Sequence, residues 1–432
     1  MINKRIIKIK ETDKDFSTYG GIYLYEVLSR RLLLESKLHG ILPKNKIEPG
    51  TSSYEKFKAL CLGFIAGADS LDDMYKLSTD PGFFETLGYV NAANTYGEYL
   101  RSFSTLEIKK LNEKLIETAL ELRSKSHKRD KDFILDVDST PCVQHGIKME
   151  GLAYNYKSLW CLDSIQAYDQ YGFEYSMDIR PGSTYSSDGA ETIIHNVFKR
   201  VPEKLKRYFR GDSAFAKNEV FKALDAKSVK FAIAMRENVY NSFIWRIDNW
   251  KNSKLKFHDR RETEIGHWFY TPGGSGRVYR IIALRALKKD RQRSLLNPYN
   301  YDYFVCISNI GSHEMRDEKI IKFYRKRGQA ENYIKELKYG FDAKHWPCQK
   351  LNANKVYGII SAFAYNLMRY TAFKLNKKKT HYSKMIRYRM VRLGCQVVRH
   401  ARYAYFKFNS QTAKEVNCWL NEIQKEFSYG FS

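Results

Sequence analysis

The stretch Phe133-Ile134-Leu135-Asp136-Val137-Asp138-Ser139-Thr140 is where the chain changes its periodicity. Before it, apolar residues recur at steps of three and four, as in Ile108, Leu111, Leu115, Ala119 and Leu122, and Ser104 with Glu107 forms a capping box at the start. An earlier helix with Leu24, Val27, Leu28 and Leu32 ends at Gly40 and Pro43. From Phe133 the pattern becomes extended, with strands expected over 133–138, 158–167 and 173–180, a meander. A helix over 189–200, a strand over 208–212, a helix over 217–226 and a strand over 230–235 follow. Strands first and then alternating strands and helices predict an α/β fold, a mixed sheet flanked by helices.

The outer segments fit around that centre. Residues 1–126 read as an N-terminal helical region facing DNA, although no helix-turn-helix signature stands out. Residues 127–237 and 310–376 read as two parts of one core. Between them 238–309 reads as a β-rich insertion subdomain, with alternation over 264–271 and 277–284 and a glycine-rich turn at Gly273, Gly274 and Gly276. A second apolar helix is expected over 356–375, and a basic C-terminal region, 377–432, opens with Lys377, Lys378 and Lys379.

Charge narrows the partner. Lys and Arg total 74 against 48 Asp and Glu in 432 residues, a formal +26, which points to a polyanion. Nucleic acid is favoured over a membrane, because the longest apolar run, Ala59 to Ala68, is too short to span one. Seven scattered cysteines without a Cys-x-x-Cys pair read as reduced, mostly buried thiols. Cys142 and His145 have ligand-like spacing but no second pair, so they read as loop residues. The first sixteen residues have no apolar signal core, and a cytoplasmic protein is expected.

Further along, Tyr324 to Lys338 reads as one helix. At 100° per residue, Tyr324, Arg327, Glu331 and Lys338 fall within roughly 60° of one another, a carboxylate inside a cationic, hydrogen-bonding row suited to phosphate. Phe323, Ala330, Ile334 and Leu337 form an adjoining apolar stripe that should set Glu331 beside the protein body. Glu336 points roughly 140° away, toward the charged outer surface. Two more carboxylates are read at strand ends, Asp138 and Asp212. With Glu331 they could hold two hard cations about 3.5–4 Å apart, Mg²⁺ preferring such oxygen ligands. The bland reading is a turn residue or a helix cap, and Asp212-Ser213 does precede an expected helix. Asp136 shares a strand face with Asp138, so alternation cannot choose between them.

These segments together resemble the DDE transposases of bacterial insertion sequences, within the RNase H-like integrase superfamily. Tyr324, Arg327, Glu331 and Lys338 match the Y-(2)-R-(3)-E-(6)-K signature in every spacing. Asp138-Ser139-Thr140 looks like the first-aspartate D-x-T motif. Asp212-Ser213-Ala214-Phe215 looks like the second, with Ala214 where a glycine is usual. Asp80-Pro81, Leu87-Gly88 and residues 96–100 resemble insertion sequence family 1380. The resemblance covers roughly residues 20 to 375. It implies Asp138, Asp212 and Glu331 as the catalytic and metal-binding triad and two Mg²⁺ ions, replaceable by Mn²⁺. It implies Tyr324, Arg327 and Lys338 as DNA contacts, double-stranded transposon ends and target DNA as substrates, and a homodimer in the synaptic complex. Glu331 follows Asp212 by 119 positions, which fits the β-rich insertion that relatives carry there. Some relatives stack a flipped base on a tryptophan of that insertion; Trp268 is the candidate here, with Trp245 and Trp250 as rivals. A nuclease or resolvase without strand transfer and a non-catalytic DNA-binding descendant are the competing classes.

Overall fold

Ser104 accepts the Glu107 amide hydrogen while Glu107 accepts that of Ser104, which starts helix α1 (Thr105–Ser126) where the capping box places it. The structure, a computed structural model, describes residues 10–44, 50–274, 276–288, 301–375 and 382–427; Lys377–Lys379 lie outside them. The chain forms two compact units, residues 100–374 and residues 1–99 with 375–432.

In the first unit α1 buries Ile108, Leu111, Leu115, Ala119 and Leu122. Strands β1 (Asp132–Val143), β2 (Ala153–Tyr154), β3 (Trp160–Asp169) and β4 (Glu174–Pro181) follow. Next come α2 (Ala190–Phe198), β5 (Lys206–Gly211), α3 (Asn218–Ala226) and β6 (Lys230–Ala234). Then β7 (Lys251–Ser253), β8 (Thr263–Tyr270), β9 (Tyr279–Leu287) and β10 (Tyr301–Ser308) lead to α4 (Asp317–Arg325), α5 (Gly328–Gly340) and α6 (Leu351–Leu375). The described strands build one ten-stranded mixed sheet in the order β2-β3-β1-β5-β6-β10-β9-β8-β7, with β4 also paired to β3. β1, β5 and β6 are mutually parallel neighbours, and every other pairing is antiparallel. The expected meander is β1, β3 and β4.

The strands of the expected insertion extend the main sheet: β10 pairs antiparallel with β6 and carries β9, β8 and β7 outward. That pairing gives β6 a second neighbour and covers an edge that would otherwise leave backbone donors and acceptors unmet. α1 packs on β4 and so belongs with the sheet, while the C-terminal segment joins the N-terminal one.

Two packing contacts place the site. Ile320, Ile321 and Tyr324 of α4 share a buried cluster with Ala232, Ala234, Ile282, Leu284 and Cys306 of the sheet. α6 approaches β4 closely at Gly358, where a Cβ would come within 3.1 Å of Met177 Cγ. Asn366 of the same helix is fully buried and exchanges two hydrogen bonds of 2.8 Å with the Glu174 backbone.

The second unit holds helices Ile22–Arg31, Leu34–Leu38, Ser53–Ala66, Asp73–Ser78, Pro81–Leu87 and Ser410–Glu426. Its three-stranded sheet pairs Phe16–Ser17 with Cys395–His400, and that strand with Tyr403–Lys407. The expected early helix is broken at Leu33, whose φ of 52° is left-handed.

Candidate active site

The parallel register of β1 and β5 sets Asp136 opposite Arg210. Two residues farther along stand Asp138, still on β1, and Asp212, just past the end of β5, so the pairing brings these carboxylates out side by side. β5 stops at Gly211, where a Cβ would sit 2.9 Å from that of Phe215, and the chain turns sharply into a 3₁₀ turn over Ser213–Phe215. Asp212 caps that turn, its Oδ1 accepting the Ala214 amide hydrogen at 2.9 Å. The cap and the candidate ligand are thus one residue, and the bland reading of Asp212 holds alongside the chemical one.

Asp138 does not end its strand. β1 continues to Val143 along β3, with Pro141 opposite Asp163. The paired register with β5 ends at Asp136, so Pro141 sits where the strand has no partner on that side and its missing N–H costs nothing.

The two aspartates that share a face differ sharply in surroundings. Asp136 is 2% exposed and accepts two bonds from Arg210, at 2.7 and 2.6 Å, while Arg210 also donates to the Phe323 carbonyl at 2.8 Å. That buried pair fastens the end of α4 to β1 and β5. Asp138 keeps its carboxylate half-open and accepts one bond from Arg327 at 3.0 Å. Burial pushes the Asp138 carboxyl up to about 6; Arg327 opposes the shift and the charge of Asp212 adds to it.

The row from Tyr324 to Lys338 is not one helix. α4 ends at Arg325, Lys326 and Arg327 form a turn, and α5 begins at Gly328. Tyr324 therefore belongs to the α4 core, its ring 5.3 Å from that of Phe304, and burial pushes its hydroxyl up to about 12. Arg327, at the turn, reaches Asp138 with one nitrogen and lies 3.6 Å from a Glu331 oxygen with the other. Its side chain is 13% exposed; burial works against its charge, but the Tyr324 hydroxyl and the Asp138 carboxylate beside it hold its proton more firmly than usual.

Beyond the turn, Ile334 and Leu337 are buried and α5 packs on β1 and β3. Lys338 donates to Thr140 Oγ1 and to the Pro141 carbonyl, both at 2.8 Å, and so ties α5 to the strand that carries Asp138. Glu331 is the open carboxylate of the helix, its side chain 55% exposed. Glu336 is half-buried and lies near Tyr365, whose hydroxyl burial raises and Glu336 raises a little further, so it does not sit on the outer surface as expected. The turn at Lys326 and Arg327 does not alter the angle between two residues of α5; α6, which carries Tyr365, lies on the side where Glu336 points.

The chemistry of the donors suits a divalent cation. Asp138 and Asp212 are hard oxygen ligands whose mutual repulsion is part of what raises Asp138, and a cation between them would relieve it. No group of three His, Cys, Asp or Glu side chains among the described residues is gathered closely enough to hold a metal, and Arg327 stands between Asp138 and Glu331. Glu331 can join the pair only if Arg327 turns away. Beside Asp212 a cleft of about 360 Å³ is lined by Tyr185, Lys217, Arg236 and Tyr270 among others.

The family model described as Transposase DDE domain group 1 matches residues 1–425. The chain belongs to that transposase family. No curated protein matches it. As a DDE transposase it is an enzyme whose partner is DNA, and its mixed sheet flanked by helices is consistent with a transposase fold. Among the described residues no helix is long and apolar enough to cross a membrane.

The cysteines are free, six of them buried and Cys418 exposed; Cys142 lies in β1 rather than in a loop. Of the three tryptophans, Trp245 is the exposed one, at 60%, while Trp250 stacks under Arg285 at 4.1 Å and Trp268 is half-buried. Two residues escaped the reading. Arg210 precedes Asp212 by two and could have been paired with Asp136 had the parallel register been known. Thr140 belongs to the quoted D-x-T motif, but nothing marked it as the anchor of Lys338.

Proposed function

We propose that this chain is an insertion-sequence transposase of family 1380 with an RNase H-like core, which binds the terminal inverted repeats of its element and moves it by cut-and-paste. The observation that carries this reading is the parallel register of β1 and β5, which brings Asp138 beside Asp212 beneath the Arg327–Glu331 pair. Asp138, Asp212 and Glu331 are the residues that would hold two Mg²⁺ ions, or Mn²⁺ in their place. Bound there, the ions supply activation of water and then of the freed 3′-hydroxyl, and neutralise charge on the leaving oxygen. The chain's own work is positioning. Arg327 exchanges its carboxylate partners for a phosphate near the cut, and Tyr324, fixed in the core, steadies it. Lys338 spends two of its three ammonium hydrogens on β1, which leaves one for DNA. The N-terminal helices face the DNA, two copies join two ends, and the protein works in the cytoplasm on the nucleoid.

The test is cleavage and strand transfer on duplexes carrying the element's own ends, with Mg²⁺. Asp138→Ala, Asp212→Ala and Glu331→Ala should each abolish both steps and leave binding of the ends largely intact. Normal cleavage by Glu331→Ala with loss in Glu336→Ala would overturn the helix assignment, and the same outcome for Asp138→Ala against Asp136→Ala would overturn that of the strand. Cleavage without strand transfer by the wild type would mark a nuclease or resolvase instead.

A further inference from the structure

Past Asp138, strand β1 runs toward a surface with an unusual pairing of side chains. Tyr156 is 83% exposed and Tyr339 71%. Each has a lysine over its ring: Lys157 Nζ lies 5.3 Å from the Tyr156 centroid and Lys344 Nζ 4.8 Å from that of Tyr339. Neither lysine has an acidic partner among the described residues.

The elements that present these pairs are braced. Asn155 Oδ1 accepts the amide hydrogens of Lys157 and Leu159, at 2.9 and 3.0 Å, fixing the tip that carries Tyr156. Tyr154 packs on Trp160 with centroids 5.0 Å apart, and Trp160 donates Nε1–H to the Gly146 carbonyl at 3.0 Å. Gln144 ties the same loop to the other pair by donating to the Lys344 carbonyl at 2.6 Å.

A lysine resting on a tyrosine face covers part of the surface a base would stack on. What remains turned outward is an ammonium and a phenol hydroxyl, both donors, which is the equipment for a phosphate oxygen rather than for a base. β1, which carries Asp138, leads into Gln144, and Gln144 holds the backbone of Lys344, so the grips adjoin the strand of the candidate site. Resting on the transposase reading above, we propose that Tyr156–Lys157 and Tyr339–Lys344 are phosphate grips for the backbone of duplex DNA flanking the cut.

Binding of the full chain to a mixed-sequence duplex of about 30 base pairs, followed by anisotropy between about 50 and 200 mM salt, tests this. Lys157→Gln with Lys344→Gln should lower the slope of log K against log salt by about 1.8, since each phosphate contact contributes about 0.9. Tyr156→Phe with Tyr339→Phe should weaken binding at fixed salt and leave the slope alone. The control pair Lys204→Gln with Lys206→Gln, two exposed lysines before and at the opposite end of β5, should keep the wild-type slope. If the wild type binds and the Lys157/Lys344 variant keeps its slope, the grips are refuted while the transposase reading stands. An equal loss in the control pair attributes the effect to net charge and refutes them too. A wild type with no salt-dependent binding sinks both readings.

Discussion

Replacing Asp138 by Asn should stabilise the protein at neutral pH. In the fold the Asp138 carboxyl stands at about 6 against an ordinary 3.8, because burial and Asp212 disfavour its charge more than Arg327 favours it. A folded-state pKa above the unfolded one means that the native state holds the extra proton between those values. Stability is therefore lost as pH rises from about 4 to about 6, and the deficit stays constant above. A shift of about two units corresponds to about 3 kcal/mol as an upper figure, at 1.36 kcal/mol per unit. For a fold of this size that is about 3–5 °C in melting temperature. Thermal melts of the wild type and Asp138→Asn at pH 4, 5, 6 and 7.5 measure it. The variant should match the wild type near pH 4, where both carry a neutral group, and gain steadily to a plateau by about pH 7. A variant that is less stable at pH 7.5, or whose advantage does not change with pH, would refute the claim that ionised Asp138 is held at a cost.

The same carboxyl supports a second measurement: Mg²⁺ at ten times its Kd should raise wild-type stability by about 1.4 kcal/mol above pH 6, with no gain in Asp138→Asn and full reversal by chelator. Arg327→Gln removes the cation that lowers the Asp138 pKa, so the pH window of the stability difference should move above 6, read from the same melts in that background. Breaking the buried pair by Asp136→Asn or Arg210→Gln should cost about 3–5 kcal/mol in urea unfolding, and replacing both partners by apolar residues should recover most of it. On the element's own end DNA, phosphate ethylation interference should appear in the duplex flanking the cut and lessen in the Lys157→Gln, Lys344→Gln variant.

Most of the sheet was legible because its strands announce themselves locally. The meander of β1, β3 and β4 and the alternation of β5, α3 and β6 follow from period and turn residues, and the capping box at Ser104 and Glu107 fixed the start of α1. What escaped was set by distant partners. Pro141 and two small polar residues after Asp138 look like a strand's end, yet β3 supports β1 for five residues more. Arg210 settles the difference between Asp136 and Asp138, and it does so across a pairing no local pattern reveals. The break at Lys326 and Arg327 had a weak local sign in Gly328, which a helix tolerates at a cost of about 1 kcal/mol. The union of Phe16–Ser17 with Cys395–His400 joins the two ends of the chain and has no local sign at all.

The seam between β6 and β10 also dictates a timetable. During synthesis β6 emerges with β5 available on one side, and its other neighbour follows only after about 70 further residues, several seconds at ordinary ribosomal rates. For that interval a strand of Phe, Ala and Ile shows an unpaired edge, and the apolar pocket that receives Tyr324 is incomplete. The nascent chain is then most exposed to pairing with a second copy. Because Glu331 is made later still, it can approach the two aspartates only after the whole of β10 has been synthesised.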